Sequence, residues 1–104
     1  MTILYNHSMR ILDIDIGRGK RIRAYEIELE PAPLILAAAR NGWAACGWFD
    51  INLAEKKKAA AVQAVGVNSI EEFLEAPVTG FTAKAGKYRI RKGMRMKTAL
   101  LRLS

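Results

Sequence analysis

Apolar and polar residues alternate in the segment Ile11 to Ile16, with Leu12, Ile14 and Ile16 on one face and Asp13 and Asp15 on the other. That period of two predicts a strand with one wet face. Gly17-Arg18-Gly19-Lys20 turns the chain, and the run from Arg21 to Glu30 predicts a second strand. Its inward set is Tyr25, Ile27 and Leu29, against Glu26, Glu28 and Glu30 outward. Ile22 and Ala24 fall out of phase, which a bulge near Ala24 would reconcile. Pro31 and Pro33 end this strand. Leu34 to Ala39 is apolar on both faces, the pattern of a strand covered on both sides.

Asn41-Gly42 follows between two apolar runs. Both central positions of a type I′ turn need positive φ, which these residues tolerate, so a two-residue hairpin is expected. That register sets Arg40 opposite Trp43, Ala39 opposite Ala44, Ala38 opposite Ala45, Ala37 opposite Cys46, Leu36 opposite Gly47 and Ile35 opposite Trp48. One face then carries Ile35, Ala37, Ala39, Ala44, Cys46, Trp48 and Asp50. Its centre is a floor of alanines holding the only cysteine, and a helix, a ligand or another subunit must fill the space above it.

Asn52-Leu53-Ala54-Glu55 has the spacing of a helix start, and Ser69-Ile70-Glu71-Glu72 repeats it as a capping box. Between them Ala60 to Val67 reads as a strand. Ile70, Phe73 and Leu74 form the buried face of the second helix, and Pro77 stops it. Val78 to Ala83 predicts a last strand, Lys84 to Lys92 a basic loop, and a closing helix starts near Gly93. Met96, Ala99, Leu100 and Leu103 make its core stripe, while Met94 and Leu101 lie about 160° away, suggesting a subunit contact or simple terminal exposure. The expected fold is a single α+β domain over residues 1–104, with a mixed β-sheet in the order ββββαβαβα and the Asn41-Gly42 hairpin at its centre. Strand, helix, strand order implies at least one parallel pairing by a right-handed crossover.

One cysteine and one histidine, His7, exclude an internal disulfide and fall short of a structural zinc set. No metal and no cofactor are expected. Met1 to Arg10 lacks the apolar run of a signal peptide, and Arg40, Asn41 and Gly42 interrupt the most apolar region, Leu34 to Ile51. A cytoplasmic location and no membrane contact are expected. The net charge of +7 is uneven: residues 76–104 carry eight basic and no acidic groups, whereas residues 1–75 carry nine and ten. Such asymmetry fits a polyanionic partner, though basic side chains also serve solubility alone.

Three functional readings follow. The first is a homo-oligomeric binding or interaction protein with a small-molecule pocket or interface lined by Cys46, Gly47, Ala37, Ala44, Trp48 and Asp50. The second is a thiol-dependent enzyme using Cys46, which needs a base or positive field that neither His7 nor Asp50 supplies; Asp50 would lie about 13 Å along the strand. The third is nucleic-acid or polyanion binding through Lys87, Arg89, Arg91, Lys92, Arg95 and Arg102, with Lys84 nearby. In it Arg91, Arg95 and Arg102 fall within about 40° on the closing helix. A solvated basic face is the plain account of those charges, and a buried small hydrophobe that of Cys46. Gly66-Val67-Asn68-Ser69 could hold an anion, but Glu71 and Glu72 oppose it. Asp13 and Asp15 could hold magnesium, although no third ligand is in view.

Ala32-Pro33-Leu34, Gly42-Trp43, Cys46-Gly47, Asp50-Ile51, Ala64-Val65-Gly66-Val67-Asn68-Ser69-Ile70, Leu74-Glu75-Ala76, Gly93-Met94 and Ala99-Leu100 together resemble a YunC-like family of small uncharacterised bacterial and archaeal proteins. The resemblance runs over most of the chain from about Ile11. It implies an α+β domain with a mixed sheet, no established activity and no known cofactor. The chain departs from the family near its close, where Met96 and Thr98 stand in place of a glycine and a glutamate. Residues 1–8 look like an added N-terminal extension, with Met9 as a plausible start.

Overall fold

The computed structural model describes residues 8–104, so the expected extension over 1–8 lies, but for Ser8, outside the described residues. Strands β1 (Met9–Gly17), β2 (Lys20–Ile27), β3 (Leu34–Ala38), β4 (Trp43–Ala45), β5 (Ala61–Gln63) and β6 (Gly80–Phe81) form one sheet in that spatial order. All neighbours are antiparallel except β4 and β5, which α1 (Ile51–Lys56) connects in parallel. The chain then adds α2 (Ile70–Glu75), α3 (Ala83–Gly86) and α4 (Met96–Leu103). This is the expected α+β architecture with one further helix, because α3 forms where the sequence reads as strand end and basic loop.

The alternation on β1 sets the core. Leu12 pairs with Ala24 and Ile14 with Ile22, placing these side chains on one face with Ile16, Ile35, Ala37, Ala44, Cys46 and Val62. Phe73 of α2 and the stripe Met96, Ala99, Leu100 and Leu103 of α4 join the same core, each with no exposed surface. Each large member of that stripe stabilises the fold by about 1.5–3 kcal/mol relative to exposure. On β2 the inward set is therefore Ile22 and Ala24 rather than Tyr25, Ile27 and Leu29, and Leu29 is exposed beyond the strand. No bulge lies near Ala24; the irregularity falls between Asp15 and Gly17. Glu26 shares the inward parity, which its partner Arg10 on β1 makes tolerable.

The Asn41-Gly42 connection is not a type I′ turn. Leu36 pairs with Ala45, Ala37 with Ala44 and Ala38 with Trp43, so the loop spans Ala39 to Gly42 and is closed by the Ala39 N–H on the Gly42 carbonyl at 2.9 Å. Neither Asn41 nor Gly42 has positive φ. Gly42 serves close packing instead: a Cβ there would lie 2.5 Å from the Ala60 oxygen and 3.1 Å from Leu103 Cδ2. The Asn41 N–H also bonds the Leu103 carbonyl at 2.8 Å, tying the loop to α4. A slip of two residues keeps Ile35, Ala37, Ala44 and Cys46 on their expected face but moves Ala37 from Cys46 to Ala44, and β4 ends at Ala45, so Trp48 and Asp50 leave the strand.

Thr82 closes the same end of the sheet. It is 1% exposed, and its hydroxyl donates to the Ala59 carbonyl at 2.6 Å while accepting from Ala61 N–H at 3.1 Å and Ala85 N–H at 3.3 Å. One side chain thus caps α3 and anchors the start of β5. Among the described residues no helix is long and apolar enough to cross a membrane.

Candidate functional site

At the carboxyl ends of β4 and β5 the chain leaves the sheet through two turns, residues 46–50 and 64–69. Open sheets with parallel strands bind ligands in this position. Asp50, extended at φ −91°, caps α1 by accepting from Asn52 N–H at 2.9 Å and Leu53 N–H at 3.3 Å, so the helix begins two residues before the expected start. Gln63 holds the turn from the other side: its amide donates to the Cys46 carbonyl at 3.1 Å and the Phe49 carbonyl at 2.7 Å. The Trp48 indole N–H bonds the Ala32 carbonyl at 2.9 Å and leaves about half the side chain in solvent.

A groove of about 280 Å³ results, lined by Ala32, Pro33, Cys46, Gly47, Trp48, Gly66, Val67 and Asn68. A second hollow of about 400 Å³ shares Pro33 and Asn68 with it and extends past Arg10, Glu26, Glu28 and Glu30. The two hollows adjoin at Pro33 and Asn68 and together form the cleft at this end of the sheet.

Of the residues read from sequence as a pocket, the structure brings Cys46, Gly47 and Trp48 together there. Ala37 and Ala44 sit in the core with no exposed surface, filled over by the protein's own helices. Asp50 is occupied in capping. Cys46 is buried at 3% exposure, with its sulfur accepting from Ile35 N–H at 3.2 Å and facing the Pro33 carbonyl at 3.9 Å. Both neighbours are backbone groups, and neither can take the thiol proton as a general base would. A Cβ on Gly47 would meet Val65 rather than the expected Leu36.

The far wall of the cleft is an ion network. Arg10 donates to Glu26 at 2.8 Å and Glu71 at 2.7 Å, while Glu26 also accepts from Ile70 N–H at 2.9 Å at the start of α2. The Arg10 bonds hold both carboxyls below the usual carboxylate range, and the Ile70 N–H adds to this for Glu26. Ser69 caps α2 as expected by accepting from Glu72 N–H at 3.0 Å, and the Glu72 carboxylate reaches back to Asn68 N–H at 3.1 Å. Glu26, Gln63 and Arg10 are the site residues that the sequence reading passed over, and Asn68 entered it only as part of the candidate anion turn. For Glu26 the signal was available, since it shares parity with Ile22 and Ala24.

The other candidates disperse. Asp13 pairs with Arg23 at 2.8 Å and Asp15 accepts from Gly17 N–H at 2.8 Å in the β1–β2 turn. Among the described residues no group of three potential ligands could hold a metal. The expected basic helix face does not form, because α4 starts at Met96 and leaves Arg91 and Lys92 in the preceding turn. Arg95 pairs with Glu75 at 2.8 Å, and Arg102 bonds the Arg89 carbonyl. Lys87 is the C-cap of α3, and Arg89 lies in the turn that follows. Met94 precedes the helix and accepts from Arg91 N–H through its sulfur, so it shares no helical face with Leu101.

The sequence matches the family described as a domain of unknown function (DUF1805) over residues 45–103. An uncharacterised protein of Bacillus subtilis, YunC, is 30% identical over 89 residues, covering 82% of this chain and 88% of its own. The crystal structure of TA1206, a protein of unknown function from Thermoplasma acidophilum, aligns at a TM-score of 0.86 with 29% identity, over 92% of this chain and 93% of that one. The matched family segment begins one residue before Cys46 and includes both turns of the groove.

Proposed function

The chain belongs to the DUF1805 family, and within it we propose a binding module whose ligand seat is the cleft at the carboxyl ends of β4 and β5. The observation carrying this reading is that two hollows, meeting at Pro33 and Asn68, put a half-exposed indole at one end and Glu28 and Glu30 at the other. A flat ring stacks on Trp48, and a positively charged or donor-bearing tail faces the carboxylates. The ligand class is thus a small aromatic amine. Binding is favoured over thiol chemistry because the Cys46 sulfur is covered and engaged by backbone groups. Asn68 and the Gln63-clamped turn fix the shape of the seat.

Titration of a Trp43→Phe variant with matched aromatic amines and aromatic carboxylates, followed by Trp48 emission, tests the reading. Amines shift the emission saturably and carboxylates do not, and Glu28→Gln with Glu30→Gln weakens the amine response several-fold. Equal response to both series, or none to either, would overturn it.

A further inference from the structure

Apart from the cleft, folding collects lysines that are distant in sequence. Lys56, Lys57 and Lys58 end α1, and Lys84 and Lys87 belong to α3 and its cap. Between the two helices lies a hollow of about 330 Å³ lined by Glu55, Lys58, Ala83, Lys84 and Lys87. All five lysines are exposed, and the ion pairs among the described residues are made by Arg10, Arg23 and Arg95 instead. Glu55, the one carboxylate in the seam, accepts from Ala83 N–H at 2.8 Å and so caps α3.

Lys58 adds a second observation. It adopts φ +59° as the residue just past α1, where Lys58 N–H bonds the Glu55 carbonyl and Ala59 N–H the Ala54 carbonyl, both at 3.0 Å. Glycine fills that left-handed position most cheaply. A lysine there puts a cation at the mouth of the hollow at a cost in stability.

We propose that the α1–α3 seam docks the phosphate backbone of a nucleic-acid duplex. Among the described residues no aromatic and no large apolar side chain lines the hollow, so the seam offers charge without a stacking platform or a membrane-inserting edge. The net charge of +7 supplies long-range attraction to the same partner.

Fluorescence anisotropy of a labelled 20-base-pair DNA duplex with the whole chain tests the proposal. The three lysines that line the hollow, Lys58, Lys84 and Lys87, give a salt slope near −2.7, or about 40-fold weaker binding at 200 mM than at 50 mM salt. Lys84→Gln with Lys87→Gln lowers the slope by about 2, while Arg91→Gln with Lys92→Gln, an equal charge change outside the lining, leaves affinity within about twofold. Lys58→Gly raises the melting temperature yet weakens duplex binding, separating a binding role from a structural one. No binding at 50 mM salt would overturn the proposal. So would equal losses in the two double variants, or tighter association with phosphatidylserine vesicles than with duplex.

Discussion

At the amino ends of β4 and β5, Gly42 lies against the Ala60 oxygen and Leu103, and Thr82 satisfies three backbone groups. At their carboxyl ends, the same two strands give way to turns that leave a cleft rimmed by Glu26, Glu28 and Glu30. The closed end also carries the lysine seam. The two ends of the same parallel pair thus differ in packing, which is tight where the chain closes and leaves a solvent-open cleft where it opens. Glycine illustrates the difference: Gly42 admits a backbone oxygen, and Gly47 only the side chain of Val65.

The sharpest way to break this comparison is to give both glycines a methyl group. Gly42→Ala forces a Cβ onto a backbone oxygen and costs about 3 kcal/mol, whereas Gly47→Ala meets a movable valine and costs under about 1 kcal/mol, read by urea denaturation. Equal losses would mean that both ends are packed alike. Thr82→Val comes next, at about 2 kcal/mol, because an isosteric methyl strands the Ala59 carbonyl and the Ala61 N–H in the interior. Amide exchange should then quicken at the start of β5 while the groove turns keep their protection.

Arg10→Met at the open end follows at about 1 kcal/mol, since its partners are partly exposed. Glu26 and Glu71 are held below their unfolded values, so this contribution is fully present above the unfolded carboxylate range and is lost as pH falls through the depressed values. The stability difference between the parent and Arg10→Met is therefore flat from neutral pH down to about 5 and closes below about 4. A difference that persists unchanged to about pH 2 would show that Arg10 acts through packing of its stem.

Local patterns that tertiary contacts do not override were readable from sequence. The stripe Met96, Ala99, Leu100 and Leu103, the Ser69 cap and the inward position of Cys46 all follow from period and capping chemistry. What was not readable turned on a second use of the same residue. Gly42 suits a type I′ turn and also a close helix contact, and the latter sets the register. Asp50 looked like a pocket carboxylate because its strand was taken to continue, whereas it ends β4's turn by capping α1. Glu26 looked outward because a carboxylate is rarely placed on a core face, and only Arg10, sixteen residues away, makes that position tolerable. The Lys56-Lys57-Lys58 run carries its meaning only once α3 is beside it.

The order β1 to β6 leaves β1 and β6 at the margins of the sheet. A margin is an invitation to lateral growth by a further chain, and nine residues of β1 would be a long template. Arg10, Asp13 and Asp15 are spaced along it as charges, the strand loses regular pairing between Asp15 and Gly17, and β6 offers only two residues at the opposite margin. These features resist edge-to-edge aggregation at both margins of the described sheet, and the exposed Ile11 has Asp13 beside it on the same face of β1.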